Sequence, residues 1–272
     1  MRQRFAAGDV EVSVVCEGFA SFALAEELPG EDVDWAAERE RTPWAYIGER
    51  RWAWHVHAFA LRLPAGVVMV DVGLGEYPPY GPWVESIDRE DALRAAGVDP
   101  DDVTAVVHTH LHADHAGGAV VDGVPRFPNA VHHAHPADWS FFGEPDQIDG
   151  YTARRPMQEL QRAGRLDLAE DDHEVVPGVR VVHAPGHTPG HRVAVVDAGA
   201  SQLVLTGDLL HLPAQVTRPH AESSHDEDAA EGARSRVRVL DDARQRGSWV
   251  AVSHFARPFG RIVADGWVAA PS

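Results

Sequence analysis

The chain has 272 residues, 44% of them hydrophobic, which is long enough to bury a full core, and one domain over 1–272 is expected. A formal charge of −18, from 42 acidic against 24 basic residues, argues against nucleic-acid and anionic-membrane partners, which are held mainly by Lys and Arg, and favours a small neutral or weakly charged ligand. The single cysteine, Cys16, excludes an internal disulfide, and neither a signal-peptide stretch nor a run of roughly 20 apolar residues is present, so the expected location is cytoplasmic.

In chain order, Val10 to Val15 reads as a strand. Trp54 to Leu63 reads as a second, alternating around His55 and His57, and Val67 to Val72 returns after the Pro64-Ala-Gly66 turn to make a hairpin ending at Asp71-Val-Gly73. The proline- and glycine-containing stretch Leu74 to Trp83 reads as a loop. Ser86 to Ala96 has a helical pattern stopped by Gly97, and the β-branched run Val103 to Val107 is a buried strand. Tyr151 to Ala163 and Asp226 to Arg246 read as helices, the second with Val237 and Leu240 facing inward. Strands are expected at Val179 to His183, Arg192 to Asp197, Gln202 to Thr206 and Trp249 to Ser253, and a loop at Leu212 to Ser224. Strands and helices mixed in this way give an α/β domain.

The histidine count, 17, is high for so acidic a chain. Five candidate ligands fall within eight residues after the Val103 to Val107 strand: His108, His110, His112, Asp114 and His115. Imidazole nitrogen and carboxylate oxygen suit zinc and other borderline divalent ions. In extended backbone His110 and His112 point the same way and share one ion. Asp114 and His115 follow a turn toward Gly117-Gly118 and reach a second. Further donors stand at the ends of later predicted strands: His187 in Pro185-Gly-His-Thr-Pro-Gly-His191, Asp208 in Thr206-Gly-Asp, able to bridge two ions, and His254 in Val252-Ser-His-Phe255. Strand ends are where open sheets place their chemistry. His108 reads as a buried strand residue and His191 as a support for the ligands. The His132-His133-Ala-His135 cluster reads as structural, at a strand and helix start before Pro136. His211 is either a substrate donor or a rim residue. Trp35, Trp44, Trp52, Trp54 and Trp83 read as core, with an acyl pocket or a homodimer contact as the alternative.

The His-x-His-x-Asp-His run from His110 to His115, the Gly-His-Thr-Pro-Gly-His segment around His187, the Gly-Asp at Asp208 and the late His254 together resemble the metallo-β-lactamase superfamily. The fuller wording Thr109 to Gly118 with Ser253-His-Phe255 is similar to its N-acyl homoserine lactonase and methyl parathion hydrolase-like branch. That resemblance implies a four-layer αββα sandwich with metals at one edge of the paired sheets. It implies His110, His112 and His187 on a first metal, Asp114, His115 and His254 on a second, and Asp208 bridging both. It also places Asp71 under the metal loop as a support for the imidazoles.

The implied cofactors are two divalent ions per chain, zinc first, with manganese, iron or cobalt as alternatives. The implied reaction is attack of a bridging hydroxide on a lactone or other ester, with Asp114 as catalytic residue orienting the water or passing its proton to the leaving group. Phosphotriester or thioester hydrolysis, as in glyoxalase II, is the alternative enzymatic reading. A non-catalytic or redox metal-binding scaffold is the alternative of another class. Quorum-quenching members often carry a tyrosine close after the bridging aspartate; here Leu209-Leu-His211 follows it.

Overall fold

Strand β5 (Gly66–Val70) shows how the sequence selects its layers. Val67 and Met69 belong to one buried cluster, Val68 and Val70 to another, so a continuous apolar run is buried on both faces. The computed structural model that shows this describes residues 4–29, 31–75, 85–143, 152–170, 172–264 and 266–271. The expected loop from Leu74 to Trp83 lies largely outside these residues, as does Trp83.

The first sheet runs β1 (Arg4–Ala7), β2 (Val10–Ala23), β4 (Arg51–Leu63), β5, β7 (Val103–Val107), β10 (Val131–Ala134) and β11 (Leu166–Leu168). The short β3 (Tyr46–Ile47) pairs with β4, and β6 (Glu85–Ser86) with β2. The hairpin of β4 and β5 is antiparallel, whereas β5, β7, β10 and β11 run parallel to one another. A separate two-stranded ribbon, β8 (Val120–Val121) with β9 (Val124–Pro125), follows the histidine run. The second sheet runs in sequence order through β12 (His173–Val176), β13 (Val179–His183), β14 (Arg192–Ala198), β15 (Ser201–Leu205), β16 (Trp249–Ala251), β17 (Phe259–Val263) and β18 (Gly266–Ala269).

The two sheets pack face to face through Val12, Val14, Phe59, Leu61, Val68 and Val70 on one side and Val181, Val196, Leu203, Leu205 and Phe259 on the other. Short α1 (Leu24–Glu27) and α2 (Trp35–Arg41) follow β2. The outer face of the first sheet is covered by α3 (Arg89–Ala96), α4 (Ala113–Ala116), α5 (Pro136–Phe141) and α6 (Arg154–Arg162), with Leu93, Ala116, Met157 and Leu160 in its core. After α7 (Ala214–Thr217), α8 (Ala229–Arg246) covers the second sheet, where Val239, Leu240 and Ala243 meet Val193, Val195 and Val204. The layers are therefore helix, sheet, sheet, helix. Each fully buried Val or Leu contributes about 1.5–3 kcal/mol, so this alternation dictates the sandwich.

Several boundaries differ from the sequence pattern for local reasons. Strand β2 continues to Ala23 because β4 is long enough to pair with it throughout. Ser86 pairs with Gly18 as a strand residue, and the helix begins after Asp88, whose carboxylate accepts the N–H of Asp91. It ends as expected at Gly97, left-handed at φ 70°. Helix α8 begins after Asp228, which caps Glu231. Val237 on it is only half-buried, and Val239 with the Arg236 stem takes the inward face. The stretch from Leu212 to Ser224 contains α7. Trp52 and Trp54 are buried in a fourth cluster, which Trp35 and Trp44 flank.

Candidate metal centre

The site forms where the two sheets meet at one edge. Strand β7 ends at Val107, and the chain then bends at Thr109 and reaches His112, whose φ of −66° and ψ of 154° are extended and precede the single turn of α4. His110 and His112 come from this connection, Asp114 and His115 from the turn. The second sheet supplies the rest: His187 from the loop between β13 and β14, Asp208 just after β15, and His254 just after β16. Gly207 sits at φ 52°, where a Cβ would lie 2.9 Å from His191 Nε2, so only glycine admits both the left-handed turn and the packed histidine.

One ligand atom each from His110, His112, His187 and Asp208 lies within 4.8 Å of the others, and the same holds for Asp114, His115, Asp208 and His254. Asp208 is common to both groups. The seven sequence-predicted residues are thus brought together; His108 and His191 stand behind them.

In the first group His112 Nδ1 lies 2.9 Å from His110 Nε2 and 3.0 Å from His187 Nε2. One lone pair on His112 Nδ1 cannot serve both neighbours, whereas a central cation satisfies all three. Tetrahedral ligands on zinc stand about 3.4 Å apart for Zn–N of about 2.0–2.1 Å, close to the spacing seen. Burial pushes His112 and His187 down to about 3 and His110 well below its ordinary value, so all three are neutral imidazoles, the form that binds metal.

The second group is richer in charge. His115 Nε2 lies 2.9 Å from Asp208 Oδ1 and 3.3 Å from Asp114 Oδ2, and His254 Nε2 lies 2.9 Å from Asp208 Oδ1. Asp208 Oδ1 nevertheless makes no hydrogen bond among the described residues, because the imidazole nitrogens approach it outside donor geometry. Burial works against charge on His115 and His254, yet the carboxylates around them, Asp208 foremost, hold both above the usual histidine value. Burial likewise opposes ionisation of Asp208 and Asp114, and the imidazoles outweigh it, holding both carboxyls below the ordinary range. Buried carboxylates facing several imidazole nitrogens, one oxygen left without a hydrogen bond, form a donor set fitted to divalent cations.

Supports behind the ligands fix the ring nitrogens. Asp71, at φ 59°, accepts from Thr109 N, Thr109 Oγ1 and His115 Nδ1, each at 2.8 Å, leaving His115 Nε2 to face the site. His254 Nδ1 donates to the His55 carbonyl at 2.6 Å. His191 Nδ1 donates to Ala184 O, and its Nε2 accepts from Asp208 N. His108 is buried against His132, 3.0 Å between ring nitrogens. His132 and His133 lie on β10, and His135 caps α5 by accepting from Ala137 N. His211 Nε2 stands 3.3 Å from Asp208 Oδ2, inside the site and not on its rim.

Two positioning residues escaped the sequence reading. Asp138, fully buried on α5, accepts from Leu111 N at 3.2 Å, Thr188 Oγ1 at 3.0 Å and Gly190 N at 2.6 Å, tying the first histidine loop to the His187 loop. Asp226 lies 3.4 Å from His187 Nδ1 and pairs with buried Arg236 at 3.0 Å. An acid in the first turn of a predicted helix normally reads as a dipole or capping residue, which hides both.

A family model described as the metallo-β-lactamase superfamily matches residues 51–254. An N-acyl homoserine lactonase of Bacillus sp is 29% identical over 188 residues, covering 62% of this chain and 67% of that protein. N-acyl homoserine lactonase AttM of Agrobacterium fabrum is 31% identical over 172 residues, covering 55% and 63%. The chain thus spans about two thirds or less of these relatives' length. Among solved structures, the hydrolase AbOPH in the β-lactamase superfamily superposes with a TM-score of 0.84 at 22% identity, covering 100% of this chain and 98% of that one. AidC, a dizinc quorum-quenching lactonase, gives 0.81 at 19% identity, covering 100% and 97%. At those identities the likeness shows the fold alone. Since the matched region runs from β4 through His254 and holds both ligand groups, the chain belongs to the metallo-β-lactamase superfamily.

Proposed function

We propose that this single-domain chain is a dinuclear metal-dependent hydrolase that cleaves a lactone or other ester bond. The observation that carries the reading is Asp208, a buried carboxylate common to two ligand groups, whose Oδ1 faces His115 Nε2 and His254 Nε2 at 2.9 Å without a hydrogen bond among the described residues. His110, His112 and His187 would hold one ion, Asp114, His115 and His254 the other, and Asp208 both. Zinc suits this nitrogen and oxygen set. Such a pair of ions would supply Lewis acidity and a hydroxide nucleophile near neutral pH.

The chain's own residues do the rest. Asp71, His55 O and the Asp138 network hold the imidazole rings in fixed orientations, so the donors need no reorganisation as charge develops. Asp114, its side chain 12% exposed against 5% for Asp208, is the carboxylate that reaches toward solvent, and we assign to it transfer of a proton to the departing alkoxide. His211, 3.3 Å from Asp208 Oδ2 and three residues after it in the chain, is the residue we assign to the substrate carbonyl or ring oxygen. The lactonase names of the relatives and the net charge of −18 support a small, weakly charged ester as substrate. No helix of the described residues is long and apolar enough to cross a membrane; we place the enzyme in the cytoplasm.

The test is metal-loaded protein assayed against an acyl lactone, an aryl ester, a phosphotriester and a glutathione thioester. Lactone or ester turnover exceeding the other two is expected; inactivity on all four sinks the proposal. Asp208→Ala should lower metal content and reduce kcat by about 10²–10³-fold, the scale of a lost transition-state charge stabiliser. A fully active variant refutes the shared-carboxylate mechanism.

A further inference from the structure

Among the described residues one other group of metal-ligating side chains converges, and it lies outside the seven-residue site: Cys16, His55 and His57, with one ligand atom of each within 4.8 Å of the others. Strand pairing builds it. Cys16 on β2 stands directly across from His57 on β4, and His55, two residues along β4, projects from the same face. The neighbouring Glu17, where the pairing register shifts, points to the opposite face, toward Arg126 and Leu74 N, as successive strand residues do. Cys16 therefore points with the two imidazoles, at the end of the inter-sheet core.

His57 carries the second observation. It is only 4% exposed, and its Nε2–H donates to Phe255 O at 3.1 Å, which leaves Nδ1 with the lone pair. That Nδ1 has no hydrogen-bond partner among the described residues. A carbonyl holding one imidazole nitrogen while the other stands free is the arrangement that orients metal-bound histidines, and His254 is held the same way by His55 O. Cys16 and His55 are half-buried, which gives an ion a path in and leaves a coordination position for water.

We propose that Cys16, His55 and His57 form a further metal site, separate from the dinuclear centre, that takes one zinc ion through a thiolate and two imidazoles. Thiolate with imidazole selects zinc over magnesium, calcium or manganese. Tetrahedral zinc wants its ligand atoms about 3.4–3.6 Å apart, so closing from the present spacing takes side-chain movements of about 1 Å.

Cobalt(II) reconstitution of the full-length protein separates this site from the other. Cys16 is the only cysteine, and the seven residues of the dinuclear site contain no sulfur, so a thiolate-to-cobalt charge-transfer band in the near ultraviolet reports on this group alone. The band should appear in wild type, vanish in Cys16→Ser and persist in Asp208→Ala. Zinc-loaded wild type should hold one more zinc per chain than Cys16→Ser by elemental analysis. Should Cys16→Ser fail to fold, His55→Ala, whose backbone carbonyl still serves His254, makes the same comparison. No band in wild type, or equal zinc in wild type and variant, overturns the proposal whatever becomes of the dinuclear reading.

Discussion

Replacing Asp71 with Asn changes one atom and leaves the backbone untroubled, because Asn tolerates the φ of 59° as well as Asp does. The carboxylate now accepts three hydrogen bonds of 2.8 Å, from Thr109 N, Thr109 Oγ1 and His115 Nδ1. With the amide oxygen toward Thr109 N, the NH₂ group faces His115 Nδ1 and forces the other tautomer, placing the proton on Nε2, where a metal would bind. Flipped, it sets N–H against the Thr109 N–H. Either way one charge-assisted bond is lost and one donor is poorly placed, which costs about 2–4 kcal/mol of stability. Metal affinity at the Asp114, His115 and His254 group should fall about 10–100-fold, or about 1.4–2.7 kcal/mol. The His110, His112 and His187 group, linked to Asp71 only through Thr109 Oγ1, should lose less. Urea unfolding of chelated protein measures the first quantity and competitive metal titration the second. A variant with wild-type stability that binds two ions as tightly as wild type would refute the tautomer argument.

Two buried groups that are not themselves ligands should tilt the pH dependence of stability in opposite directions. Burial lowers His132 to about 3, so below the unfolded value of about 6.5 the unfolded chain binds the extra proton, and stability falls as pH falls. His132→Asn should remove about 2 kcal/mol of that fall between pH 7 and pH 5, measured by urea unfolding of chelated protein; an unchanged slope contradicts the buried neutral ring. Burial raises Asp138 to about 6, above its unfolded value, so here the folded state binds the extra proton and stability falls as pH rises through 6. Asp138→Asn should therefore gain about 1.4 kcal/mol relative to wild type between pH 5 and pH 7, and metal retention should report the loosened tie between Leu111 and Gly190. A relative stability that does not move with pH refutes it.

Much of the fold was legible because period-two burial writes itself into sequence: Val103 to Val107 and Val179 to His183 were bounded correctly from apolar runs alone. The convergence of the histidine loop with the later donors was legible for a different reason, since so many imidazoles and a carboxylate within eight residues point to a shared site. What was illegible depends on partners distant in sequence. Asp138 looks like any acid early in a helix until Leu111, 27 residues away, and Gly190, 52 away, donate to it. His211 was undecided between substrate contact and rim, and its placement beside Asp208 follows from a turn that pattern does not predict. Asp71 was reached only through family resemblance. Cys16 with His55 and His57 was invisible, because cross-strand neighbours 39 and 41 positions apart share a face only once the register of β2 on β4 is known.

The ligands are divided between the sheets: His110, His112, Asp114 and His115 follow the first, while His187, Asp208 and His254 belong to the second. An ion held by His115 and His254 therefore joins residues 139 apart in sequence, and one held by His112 and His187 joins residues 75 apart. In polymer terms each would be a removable link between distant parts of the chain, which stabilises the folded state because the ion binds there and not to the unfolded chain, and adds no covalent strain. With ions bound at the proposed centre, a chain with one cysteine would have a reversible staple across its two halves, and the concentration of free metal in its surroundings would set how firmly the halves are joined.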